Sequence, residues 1–116
     1  MDKITIYHNP ACGNSQGAME ILRQRSADFD TIEYLKNPPT AATLEKIIAM
    51  LEVPPAEMVR KDKRFGELKL KPEDYTRPKE IVALLVKHPE LMQRPIVVRG
   101  KRAVIARPPE KLVPLL

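Results

Sequence analysis

The chain has 116 residues, 43% hydrophobic and 30% charged, which fits one soluble globular domain with a single core. Twenty Lys and Arg against 15 Asp and Glu leave a net charge of +5, and there is one cysteine, Cys12. A lone cysteine excludes a disulfide framework, an iron–sulfur cluster, a Cys-rich zinc site and an internal dithiol cycle, so redox chemistry at Cys12 needs a second sulfur from another molecule.

The N-terminal stretch Met1-Asp2-Lys3-Ile4-Thr5-Ile6-Tyr7 has no apolar core of signal-peptide length, and no window approaches the roughly 20 apolar residues of a membrane span. A cytoplasmic location without membrane association is expected, where a free thiol stays reduced. Residues 3–7 alternate and are β-branched, which predicts a strand. His8-Asn9-Pro10-Ala11-Cys12-Gly13 reads as a loop. From Asn14 or Ser15 to about Arg25, Ala18, Met19, Ile21 and Leu22 recur at helical spacing. Phe29 to Tyr34 predicts a second strand, broken by Lys36-Asn37-Pro38-Pro39.

Thr40 reads as an N-cap to a helix carrying Leu44, Ile47, Ile48 and Leu51, ended by Pro54-Pro55. A short helix is expected over about Ala56–Arg60, then a charged stretch, 61–75, with Phe65, Leu68 and Leu70. Lys79 to His88 is amphipathic through Ile81, Leu84 and Leu85. Residues 94–98 predict a strand, Gly100-Lys101 a hairpin turn, and Arg102 to Ala106 its partner. Pro108-Pro109 opens a final helix through Leu115. The order is β-α-β, then helices, then β-β-α. That is an α/β chain with a thioredoxin-like mixed sheet, a single domain over 1–116 with a helical insertion at about 40–90.

Charge is uneven. Residues 1–58 are net −3 and residues 59–116 net +8. The basic half points to an anionic partner. Only 4% of residues are aromatic and none is Trp, poor material for stacking on bases, so nucleic acid is disfavoured.

Cys12 falls between a strand and a helix N-terminus. There the helix dipole and unpaired N–H groups favour a thiolate, pulling its pKa below the free value of about 8.5. The N–H groups of Gly13, Asn14 and Ser15 form a cradle for an oxyanion. His8, four residues earlier, can support the thiolate as an imidazolium or move a proton as a neutral ring. His88, before Pro89, fits a helix C-terminus. The spacing Cys12-x-x-Ser15 is not a dithiol motif. The phosphatase loop Cys-x5-Arg fails because Ala18 stands where its arginine would be.

The segment His8-Asn9-Pro10-Ala11-Cys12-Gly13-Asn14-Ser15 resembles the active-site loop of the arsenate reductases that use glutathione and glutaredoxin. The resemblance continues through Glu33–Thr40, Val59-Arg60-Lys61, His88–Val98 and Ala106–Glu110, and so covers essentially the whole chain. It implies that Cys12 is the nucleophile and that His8 supports its thiolate. It further implies that Arg60, Arg94 and Arg107 bind the oxyanion with Gly13, Asn14 and Ser15, and that Arg94-Pro95 is a cis peptide. Arginine suits the task, since its planar fork binds oxyanions bidentately. No bound cofactor or metal is implied; glutathione would be co-substrate and glutaredoxin the partner that releases Cys12. One position departs: Gln16 stands where the family usually has Arg. Two alternatives carry other expectations. One is a related glutathione-linked thiol reductase acting on another substrate. The other is a redox-type regulatory protein that binds RNA polymerase, whose usual Cys-x-x-Cys switch Cys12 and Ser15 cannot form.

Overall fold

A computed structural model describes residues 3–116; Met1 and Asp2, on which part of the reading of the N-terminal stretch falls, lie outside it. Among the described residues, contacts gather into two compact units, residues 3–37 with 94–116, and residues 38–93.

The first unit holds the sheet. β1 (Ile4–His8) is central, with β2 (Phe29–Glu33) parallel on one side and β3 (Ile96–Arg99) antiparallel on the other; β4 (Arg102–Ile105) completes the order β2-β1-β3-β4. Register runs from Ile4 opposite Phe29 to His8 opposite Glu33, and from Ile4 opposite Arg99 to Tyr7 opposite Ile96. Gly100 turns the β3–β4 hairpin at φ 60°, a conformation glycine adopts without a Cβ penalty. This is the mixed sheet expected from the β-α-β and β-β patterns.

α1 (Gly13–Gln24) crosses between β1 and β2, as a parallel pair requires. Its Ala18 and Leu22, four residues apart, join Ile4, Ile6, Val97, Ala106, Leu112 and Leu115 in one buried cluster. Burying each large aliphatic side chain there is worth about 1.5–3 kcal/mol. The last segment, Pro109–Leu115, is a 3-10 helix, not the expected α-helix. Pro114 lies inside it, has no N–H to donate, and its ring would clash with a carbonyl one α-turn back.

The second unit is helical. α2 (Ala41–Met50) starts at Thr40, whose hydroxyl accepts the Thr43 N–H at 3.2 Å, and buries Leu44, Ile47 and Ile48. Pro55–Met58 is a 3-10 turn where a short helix over 56–60 was expected. The 61–75 stretch, assigned no regular element from the sequence, contains α3 (Lys63–Glu67) and a 3-10 turn, Pro72–Asp74. Asp62 caps α3 by accepting the Phe65 N–H at 3.2 Å, and Phe65 meets Tyr75 edge-to-face at 6.0 Å. α4 (Pro78–Lys87) buries Ile81, Val82, Leu84 and Leu85 and packs on α2. His88 ends α4, as expected, and its Nδ1 lies 3.3 Å from Glu90 Oε2.

Candidate active site

The site lies in the first unit, beyond the C-terminal end of β1. Its loop is built by Asn9, whose carbonyl accepts the Cys12 N–H at 3.0 Å and whose Oδ1 accepts the Ala11 N–H at 2.9 Å. An Asx turn of this kind is what a short polar side chain ahead of a proline provides. The Asn9 N–H in turn donates to Ser15 Oγ at 3.3 Å. Ser15 is fully buried, so the loop and the first turn of α1 are tied together inside the protein.

Cys12 is the N-cap of α1, and its carbonyl accepts the Gln16 N–H at 3.0 Å. The thiol is 8% exposed, so the sulfur is recessed. Burial alone would push its pKa up. The N–H groups of Ser15 and Asn14, the Arg94 side chain and the Ser15 hydroxyl outweigh that effect and bring it down from an ordinary 9.0 to about 7. No acidic residue in the first turn of α1 offsets the positive end of the helix. Gly13 is exposed beside the sulfur, and a methyl group there would meet nothing within 4 Å.

Arg94 and Arg107 approach from β3 and the end of β4. Arg107 Nη1 stands 3.8 Å from Cys12 Sγ and donates to the Arg94 carbonyl at 2.9 Å. Arg94 Nε is buried with no hydrogen-bond partner, leaving a donor free in a site of positive charge. The Arg94-Pro95 peptide is cis, and so is Arg107-Pro108, which the sequence reading did not anticipate.

His8 ends β1 and is buried. Burial lowers its pKa, with Glu33 opposing and Arg23 adding to the shift, so the neutral ring is favoured and Nδ1 has no partner. Of the two roles open to His8, the neutral imidazole fits this environment better than the imidazolium.

The structure thus brings Cys12, Gly13, Asn14, Ser15, Arg94 and Arg107 together. Arg60 belongs to the second unit. There its N–H donates to the Leu91 carbonyl at 2.7 Å, beside a bridge between Val59 and Met92, and its Nε donates to Asp62 Oδ2 at 3.1 Å. The sequence reading missed Asn9 as an organiser of the loop, although Asn9-Pro10 is a turn signal. It also gave Gln16 no partner; its amide donates to the Pro10 carbonyl.

The chemistry available is that of a recessed, low-pKa sulfur facing two guanidinium groups and backbone N–H donors. That suits nucleophilic attack on the central atom of a small oxyanion. Comparison with known proteins agrees in kind. The chain is 36% identical over 117 residues to an arsenate reductase of Acidiphilium multivorum, spanning all of this chain and 82% of that protein. It is 32% identical to the Escherichia coli K12 protein named "Uncharacterized protein YfgD", spanning 98% of this chain and 97% of that one. A solved arsenate reductase from Vibrio cholerae superposes with a TM-score of 0.89 at 29% identity, covering 99% of this chain and 98% of the other. The family model described as ArsC matches residues 7–113, and the chain belongs to the ArsC family.

Proposed function

We propose that the protein reduces arsenate to arsenite with glutathione and glutaredoxin as electron donors, with Cys12 as nucleophile. The observation that carries this reading is the sulfur itself, its pKa drawn down to about 7 while Arg107 stands 3.8 Å away. Near neutral pH a large fraction of Cys12 is thiolate, and arsenate is an anion that guanidinium groups hold well.

Arg94, Arg107 and the N–H groups of Gly13, Asn14 and Ser15 bind the arsenate oxygens. The Cys12 thiolate forms a sulfur–arsenic bond as one oxygen leaves as water, with neutral His8 positioned to pass a proton. Glutathione thiolate then attacks the Cys12 sulfur. The sulfur–arsenic bond breaks with its electron pair remaining on arsenic, As(V) becomes As(III), and the two thiols become one mixed disulfide. The chain has no second cysteine, so an external thiolate, in this reading that of glutaredoxin, attacks that disulfide to return Cys12. A reducing, cytoplasmic compartment is part of the same proposal, because glutathione and glutaredoxin work there. Arg60 enters this reading through the resemblance alone, and a rise in KM for arsenate in Arg60→Ala tests it.

The deciding experiment is an arsenate assay coupled to glutathione and glutaredoxin. Turnover is expected for the natural sequence and none for Cys12→Ser with unchanged circular dichroism. An active Cys12→Ser protein, or an inactive natural one, removes the proposal.

One observation favours a second reading. Gln16 supplies no charge and its amide is held by the Pro10 carbonyl, so the loop has less positive charge than an arginine there would give. A related glutathione-linked reductase of another substrate would fit that. Arsenate turnover by the natural protein close to that of Gln16→Arg argues against it.

A further inference from the structure

Gly17 lies inside α1, where glycine costs about 0.5–1 kcal/mol relative to alanine. Its backbone needs no special conformation, so the reason for glycine must be space. A methyl group at Gly17 would stand 2.8 Å from Pro109 Cγ, closer than carbon atoms tolerate, and 3.4 Å from Pro109 Cβ, at the edge of ordinary contact. Pro109 is a ring on a fixed φ, with ring pucker as its only internal freedom, and it starts the segment that carries Leu112 and Leu115 into the core beside Ala18 and Leu22.

Two residues upstream is Arg107. The intervening Pro108 also has its φ locked by its ring, so Pro108-Pro109 forms a stiff connection. The other side of Arg107 is anchored too: the Ala106 N–H donates to the Pro95 carbonyl at 2.9 Å. The guanidinium therefore reaches Cys12 from a short strut whose far end rests on α1 at Gly17, about one and a half turns from Cys12 itself.

We propose that Gly17 is a positioning residue for Arg107: its bare Cα lets Pro109 sit against α1, and that seat sets where the Arg107 guanidinium meets Cys12. The role of Arg107 at an anion rests on the reading given above; the placement of its charge beside the sulfur does not. A side chain at Gly17 lifts Pro109, and the stiff strut carries the displacement to Arg107.

The test uses Cys12 alkylation by anionic iodoacetate and by neutral iodoacetamide at one pH. The ratio of the two rates reports positive charge at the sulfur and divides out changes in thiolate fraction. Gly17→Ala is expected to lower the ratio about five-fold, as loss of a nearby guanidinium implies, and to lower the melting temperature despite the better helix propensity of alanine. Gly66→Ala in α3, where a methyl group meets nothing within 4 Å, is expected to leave the ratio unchanged. Adding Pro109→Ala to Gly17→Ala removes Cγ and is expected to restore the ratio.

A natural ratio in Gly17→Ala, or a ratio in the double variant as low as in the single, overturns the proposal. If Gly17→Ala alone does not fold, the double variant decides: a folded protein with the natural ratio supports the Gly17–Pro109 contact as what sets the position of Arg107, and any other result overturns it. In the arsenate assay, Gly17→Ala should act mainly on KM. Absence of turnover in the natural protein would remove arsenate reduction as the function and leave the alkylation comparison standing.

Discussion

Arg107 Nη1 sits 3.8 Å from Cys12 Sγ while the same nitrogen donates to the Arg94 carbonyl at 2.9 Å. The two arginines are thus coupled through a backbone oxygen. Arg94 acts on the sulfur with its side chain and steadies Arg107 with its main chain. Substituting the Arg94 side chain removes the first effect and leaves the second, which allows the two to be separated.

That separation gives a pH prediction. Cys12 reacts as the thiolate, so its alkylation rate should rise with pH and reach half its maximum at about 7. In Arg94→Gln the midpoint should move up toward 9.0, because a group that lowers the pKa is lost while burial still raises it. Stability follows the same sign. The folded pKa lies below the ordinary value, so the thiolate contributes fully above pH 9 and its contribution is lost as pH falls through 7. An unshifted midpoint in Arg94→Gln would assign the low pKa to the N–H groups of Asn14 and Ser15 and the Ser15 hydroxyl, without Arg94.

Ser15 offers a second handle on the same sulfur. Its hydroxyl lowers the Cys12 pKa and accepts the Asn9 N–H, and it is fully buried. Ser15→Ala removes both interactions and leaves the Asn9 N–H without its partner, at a cost of about 1–3 kcal/mol. Urea unfolding should show that loss, and iodoacetamide titration should show a raised Cys12 midpoint. A destabilised protein with an unchanged midpoint would confine Ser15 to holding the loop.

Much of this was legible from residue order. Alternation in residues 3–7, the 3.6-residue spacing of Ala18 and Leu22 and the Gly100-Lys101 turn give the sheet and α1 directly, because one face of each element must be buried. Cys12 at a strand–helix junction gave the low pKa for a reason independent of any partner. What was hidden depends on partners distant in sequence. Arg107 reaches Cys12 across 95 positions, and only the family resemblance, not periodicity or charge, set it apart from Arg99 and Arg102. α3 was missed because five residues are too few for a periodic pattern, and the cap at Asp62 holds it instead. The end of α1 was read to within a residue at about Arg25, but nothing marked the end of α3, and the left-handed residues that follow these two helices are Ser26 and Lys69, not glycine.

Those two residues yield a stability prediction. Ser26 has φ 52° and Lys69 φ 56°. Each follows a helix cap: the Ser26 N–H bonds Arg23 O and the Ala27 N–H bonds Leu22 O, while Lys69 bonds Gly66 O and Leu70 bonds Phe65 O. Both are Schellman motifs with a side chain at the position that favours glycine. A Cβ there costs roughly 1–2 kcal/mol, against a smaller entropic penalty for glycine in the unfolded chain. Ser26→Gly and Lys69→Gly should each stabilise by about 0.5–1 kcal/mol in thermal or urea unfolding. A loss of stability in either would show that its side chain makes contacts outweighing the backbone strain.

Asp62 holds two partners with two oxygens: Oδ1 accepts the Phe65 N–H at 3.2 Å and Oδ2 accepts Arg60 Nε at 3.1 Å. Burial would raise its pKa, but the Phe65 N–H and Arg60 pull the carboxyl below its ordinary 3.8. The sign follows: its contribution is complete above about pH 3.8 and is lost as pH falls below that value. Asp62→Ala should cost about 1 kcal/mol, the usual worth of a helix cap, and flatten the acid limb of the stability profile. Asp62→Asn keeps an oxygen for Phe65 but drops the charge facing Arg60. It should retain most of the cap while also flattening the acid limb. If Asp62→Asn were as unstable as Asp62→Ala, the pairing with Arg60, and not the cap on α3, would be the larger contribution of Asp62.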